Sequence, residues 1–175
     1  TFLFDLRWDM ERTYEPVHFD GPVRWDYMPG DDPEFIFQFN RHQFFICLGQ
    51  AYALTGNETY ADTFADLLKS WIKENPLNES TKETTWRSIE AGIRAETWVK
   101  AMAYFKDSPA VTEELMELYV NCLITHARYL MESYKYFQIK SNWGVIESRG
   151  LLEIGLALSF GTEQPETGET KTWIE

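Results

Sequence analysis

Basic residues, cysteines and long apolar runs are all scarce in this chain. Sixteen Lys and Arg stand against 28 Asp and Glu, a formal net charge of -12. A nucleic-acid surface needs clustered cations to neutralise phosphate, and an anionic membrane repels such a charge, so neither partner is expected. A polyanionic substrate is less firmly excluded, because binding depends on the few charges that line a cleft and local arginines outvote the total. No apolar stretch approaches the roughly 18 residues that read as a spanning helix. Thr1 opens the chain without a basic-then-apolar leader. That suits a periplasmic or secreted protein whose leader has been removed, and a cytoplasmic protein equally.

Cys47 and Cys122 lack metal-ligand spacing and are too few for a disulfide framework, so buried free thiols are expected and the redox compartment stays open. His18, His42 and His126 show no zinc-type spacing with other ligands. No nucleophile elbow, phosphate-binding loop or dinucleotide fingerprint occurs, and neither a metal nor a cofactor is expected.

Aromatic residues are abundant: seven Trp, nine Tyr and twelve Phe make 16% of the chain. Rings of this kind stack on sugars as readily as they fill a core, and composition does not separate the two uses. A length of 175 residues fits one domain.

Residues 1–33 read as an irregular lead-in broken by Pro16, Gly21-Pro22, Pro29-Gly30 and Pro33. From Asp32-Pro33 a single helix is expected over about Glu34 to Leu54, stopped at Thr55-Gly56. A second runs from an Asn57 cap to Asn75-Pro76, a third from near Thr84-Thr85 to about Phe105, a fourth from Thr112 to about Ser133, and a fifth from Ser141-Asn142 to Phe160-Gly161. With short connections and no convincing strand, the expected fold is all-α, built of antiparallel helical hairpins. Thr162 to Glu175 offers no closing element, so residues 34–175 read as the front part of a domain that continues.

Three helices carry polar residues at inward spacings. On the first, Arg41 falls among Phe37, Phe45 and Leu48, where an unpaired charge costs roughly 3 to 5 kcal/mol, so it must meet an acid or a ligand's acid. Asn40, Gln43, Cys47 and Gln50 form a second stripe, either lining a wet cavity or satisfied within the core. On the third, Trp86, Glu90, Arg94 and Thr97 share a face, and Glu90 four residues before Arg94 is the favourable order for an intrahelical ion pair. On the fifth, Asn142, Ile146, Arg149 and Glu153 share a face. There Asn142 suits a helix cap, and Arg149 suits Glu153 or a ligand carboxylate.

The ordered words Phe39-Asn40-Arg41-His42-Gln43, Gly49-Gln50-Ala51-Tyr52-Ala53-Leu54-Thr55-Gly56 and Trp71-Ile72-x-x-Asn75-Pro76 resemble the N-terminal helical domain of heparinase II/III-type polysaccharide lyases. Thr85-Trp86 with Ala91-Gly92-Ile93-Arg94 and Trp98, then Ser141-Asn142-Trp143-Gly144 with Gly150-Leu151, extend the resemblance over roughly residues 24 to 160. It implies part of an incomplete (α/α) toroid, followed in full-length members by a β-sandwich region. It also implies β-elimination on uronate-containing acidic polysaccharides without a metal. Asn142 matches the Asn that neutralises the uronate carboxylate next to the cleaved bond, while the family's proton-transferring Tyr and His match positions beyond Glu175. Asn40, Arg41, His42, Gln43, Trp86, Glu90, Arg94 and Arg149 are the expected substrate contacts, because polar groups on inward helix faces converge on a toroid's cavity. Two other readings remain. A glycoside hydrolase on a similar toroid needs two carboxylates across a cleft, for which Glu90 and Glu153 are nearest. A non-catalytic carbohydrate-binding domain needs neither.

Overall fold

A computed structural model describes residues 2–4, 15–133, 140–161 and 169–174. After a short hairpin of β1 (Phe2–Phe4) and β2 (Val17–Phe19), the elements are helices: α1 (Glu34–Phe39), α2 (Phe44–Thr55), α3 (Glu58–Glu74), α4 (Ser88–Phe105), α5 (Glu113–Glu132), α6 (Asn142–Gly161) and α7 (Glu169–Ile174). The fold is all-α apart from that hairpin, in which Leu3 pairs with His18 in antiparallel register. None of the described helices is long and apolar enough to cross a membrane.

Local chemistry explains most boundaries. Asn57 accepts from the Thr59 amide and Thr112 from the Leu115 amide, satisfying donors that a helix start leaves orphaned. Glu58, Glu113 and Glu114 follow in first turns, where the helix dipole favours negative charge. Gly56 closes α2 with φ 63°, a left-handed conformation glycine adopts at no steric cost.

The expected continuous first helix is two. Its chain breaks at Asn40–Gln43, where the Arg41 and His42 amides tighten onto Gln38 and Phe39, and His42 itself takes φ 58°. The break coincides with Asn40, whose amide donates to the Ile36 and Trp25 carbonyls and accepts from Trp71, tying this turn to distant parts of the chain. The third helix also starts later than expected, at Ser88, because a 3₁₀ turn at Thr81–Glu83 and the turn after it occupy the preceding residues. Two further expectations are corrected. The lead-in contains β1 and β2, and the C-terminal stretch contains α7, whose Trp173 is buried.

At the centre lies α4, which packs against α2 and α5 and most extensively against α6. A pair of glycines permits that closest approach. A Cβ on Gly92 would stand 3.0 Å from the Glu147 Cα, and one on Gly150 would stand 2.7 Å from the Gly92 Cα. A single aromatic-rich core then runs through the molecule, with Phe39, Phe45, Phe64, Trp71, Trp98 and Phe105 wholly buried.

Candidate functional site

The sequence-expected contact residues separate into a core set and a surface set. Asn40 is fully buried and its amide is spent within the protein. Its nitrogen donates to the Trp25 and Ile36 carbonyls at 2.9 and 2.8 Å, and its oxygen accepts from Trp71 Nε1 at 2.7 Å. Trp86, also buried, donates to the Asn75 carbonyl at 2.7 Å. Arg94 does not pair with Glu90. Nε donates to His126 Nε2 at 3.0 Å and Nη1 to the Asn40 and Thr85 carbonyls, while the guanidinium stacks 4.1 Å above Trp71. Burial lowers the Arg94 pKa to about 9.

Tautomers in this core follow from obligate donors. Trp98 Nε1 is only a donor, so His42 Nδ1, which it contacts at 2.9 Å, must carry the lone pair. By the same logic His126 accepts from Arg94 at Nε2 and offers its Nδ1 hydrogen to the Cys122 carbonyl at 2.8 Å. Both imidazoles are neutral. Burial, then the Arg94 charge, holds both pKa values well below the ordinary histidine range. Asn40, His42, Trp86 and Arg94, expected as substrate contacts, are thus buried scaffolding, which departs from the shared concavity expected for all of the polar positions.

A second group is centred on the buried Glu90 and reaches solvent through Arg41 and Arg87. Arg41 meets the acid its position demanded, donating Nε to Glu90 Oε2 at 2.7 Å, with Glu34 3.9 Å away. Glu90 is wholly buried and takes a second cation, Arg87, whose Nε donates to Oε1 at 2.9 Å and whose Nη2 contacts the same oxygen. The Arg87 guanidinium lies 3.5 Å over the Phe37 ring and 5.2 Å over Trp143. Arg87, Ser88, Tyr129 and Trp143 line a cleft of about 530 Å³ between the start of α4, the end of α5 and the start of α6. Lys82, Glu79, Glu83 and Glu132 also line it.

Asn142 opens α6 beside Trp143 and is exposed, and its side chain makes no hydrogen bond to any described residue. The helix begins at Asn142 itself, so the position before it belongs to Ser141 and not to an Asn142 cap. Gln43 is half-buried at the kink. Arg149 pairs with Glu96 of α4 at 2.7 Å, neither with Glu153 nor within the cleft. Cys47 is exposed, against expectation, while Cys122 is buried and burial pushes its thiol up to about 12.

Sequence reasoning missed Arg87. A signal was present: a cation in the first turn of a helix opposes the dipole and calls for a special partner, and Glu90 stands three residues on. Among the described residues no group of His, Cys, Asp and Glu is arranged to hold a metal ion.

Comparisons with known proteins give one consistent answer. A heparin-sulfate lyase of Bacteroides thetaiotaomicron is 29% identical over 185 residues, covering 98% of this chain and 25% of its own length. Another heparin-sulfate lyase, from Pedobacter heparinus, is 24% identical over 150 residues, covering 85% of this chain and 22% of its own. The chain therefore spans about a quarter of the curated relatives it matches. Among solved structures, heparinase III superposes with a TM-score of 0.77 at 28% identity, over 90% of this chain and 23% of that one. The heparan sulfate lyase HepC of Pedobacter heparinus gives 0.80 at 23% identity, over 91% and 24%, a likeness of fold. The family described as heparinase II/III N-terminus matches residues 3–175, and this chain belongs to it.

Proposed function

We propose that this chain is the helical substrate-binding part of a polysaccharide lyase that cleaves uronate-containing glycosaminoglycan by β-elimination. The relatives it matches are named heparin-sulfate lyases, which supports an acidic polysaccharide as the substrate class. The carrying observation is Asn142. An amide at a family motif position is exposed at the start of α6, beside a cleft lined by aromatic and guanidinium groups, and has no side-chain partner among the described residues.

The chemistry requires such an amide. A proton alpha to a carboxylate is hard to remove until fixed donors stabilise the charge that develops on that carboxylate. Asn142 Nδ2 supplies them. A base then takes the C5 proton, the C5–H electrons form the C4=C5 bond, and the C4–O bond breaks with its oxygen taking up a proton. No residue of this chain is assigned to move those protons. A hydrolase with Glu90 and Glu153 as its acid pair is disfavoured, because Glu90 is wholly buried and held by two arginines.

Digestion of heparan sulfate by the full-length protein, without added metal, is expected to generate the ultraviolet absorbance of a conjugated unsaturated uronate. Asn142→Ala is expected to reduce kcat by about 10²- to 10³-fold with an unchanged unfolding midpoint. Reducing ends released without absorbance would indicate hydrolysis. A near-normal kcat in Asn142→Ala would remove the residue from the chemistry.

A further inference from the structure

The cleft beside Asn142 contains a guanidinium that the fold immobilises but does not use up. Arg87 commits Nε and Nη2 to Glu90 Oε1, and its flat group rests over the Phe37 ring at 3.5 Å. Glu90 is in turn held by Arg41, so the acid that positions Arg87 is also fixed from the turn between α1 and α2. Nη1 has no partner among the described residues, and the side chain is 25% exposed on the cleft wall. One edge of a rigid two-donor fork is thus presented to the cleft.

Charge supports the same conclusion. Arg41 and Arg87 share the carboxylate of Glu90, and Glu34, 3.9 Å from Arg41, offsets that second cation, so Arg87 has no carboxylate to itself. No side chain caps the start of α4, so its first amides also point positive potential at this wall. Lys82, the other cation of the cleft, is already paired with Glu79 at 2.6 Å.

We propose that Arg87 is a binding residue for a uronate carboxylate, received bidentately on the free guanidinium edge while the sugar lies against Trp143. The planar fork matches a carboxylate. Glu79, Glu83 and Glu132, which also line the cleft, oppose dense negative charge, which favours one carboxylate over a cluster of sulfate esters. The inference rests on the acidic-glycan reading and assigns a residue that the sequence motifs leave out.

Calorimetric titration tests it with three tetrasaccharides. One is unsulfated glucuronate–N-acetylglucosamine, one is its carboxyl-reduced counterpart, and one is carboxyl-reduced but sulfated. The protein is expected to bind the first about 10- to 100-fold tighter than the second, the span of a charge-assisted pair. Arg87→Lys, which keeps a cation for Glu90, is expected to abolish most of that preference while leaving affinity for the carboxyl-reduced probe unchanged. A misfolded variant would lose both. Equal wild-type affinity for the first two probes, or a preference that survives Arg87→Lys, overturns the proposal. Preference for the sulfated carboxyl-reduced probe overturns the carboxylate assignment. The lyase reading fails separately: a carboxylate preference that depends on Arg87, in a full-length protein that forms no unsaturated product, sustains the subsite and sinks the reaction.

Discussion

Arg94 and Arg87 stand seven residues apart on the same helix and beside its start, and they illustrate opposite uses of one side chain. Arg94 is wholly buried, stacks on Trp71, and donates to two carbonyls and an imidazole. Arg87 stacks on Phe37, donates to one carboxylate, and leaves an edge in solvent. Tryptophans follow the same division: Trp71, Trp86 and Trp98 are buried with their N–H groups bonded inward, whereas Trp143 is half-buried on the cleft wall. A polar group sealed in the core contributes order, even where one of its donors, such as Arg94 Nη2, has no partner among the described residues. One with capacity left over at a cavity contributes recognition.

The largest effect should come from breaking the core member. Arg94→Ala leaves Asn40 O, Thr85 O and His126 Nε2 without their donor and opens a cavity among tryptophans, so a loss of at least about 3 kcal/mol is expected. Denaturant unfolding measures it, and a loss below about 1 kcal/mol would show that the network is not structural.

Titration separates the regions less forcefully, and with opposite signs. His42 and His126 are held neutral in the folded state, so below about pH 6.5 the unfolded chain binds protons that the folded one does not, and stability falls as pH falls. Glu147 behaves in reverse. It is buried on α6, neither carboxylate oxygen has a partner of good geometry, and burial raises its pKa against a smaller opposing influence of Ser88. Its folded form holds a proton that the unfolded chain releases above about pH 4.5, so its contribution is complete below that value and lost as pH rises through its folded pKa. Unfolding midpoints across pH 4 to 8 should show Glu147→Gln more stable than wild type at the upper end and level with it at the lower. An unchanged difference across the range would contradict the assignment.

The smallest effect belongs to Arg149. Its pair with Glu96 is solvent-facing on the Arg149 side, and Lys100 also contacts Glu96, so Arg149→Ala should cost under about 1 kcal/mol. Its affinity for the uronate probe should match wild type. A substantial binding loss would return Arg149 to the substrate contacts expected from its helix face.

Helix existence was legible because apolar spacing and caps are local. Asn57 and Thr112 cap where expected, and α5 and α6 keep their expected lengths within a residue or so. The Asn40–Gln43 kink was not legible, since it depends on Asn40 bridging to Trp25 and Trp71, residues 15 and 31 positions away. The demand that Arg41 meet an acid was readable from its apolar neighbours; that the acid is Glu90, shared with Arg87, required the helices to be docked.

The sequence by itself determined an all-α chain, the family motifs and the list of polar residues that needed partners, because burial of charge and helix capping follow from composition and spacing. Only the tertiary structure decided which of those residues remained available. Asn40, His42, Trp86 and Arg94 found partners within the fold, while the Asn142 side chain and one edge of Arg87 have none among the described residues. A side chain's spacing fixes the helix face it occupies, but its free hydrogen-bonding capacity depends on which distant donors and acceptors the packing brings within 3 Å.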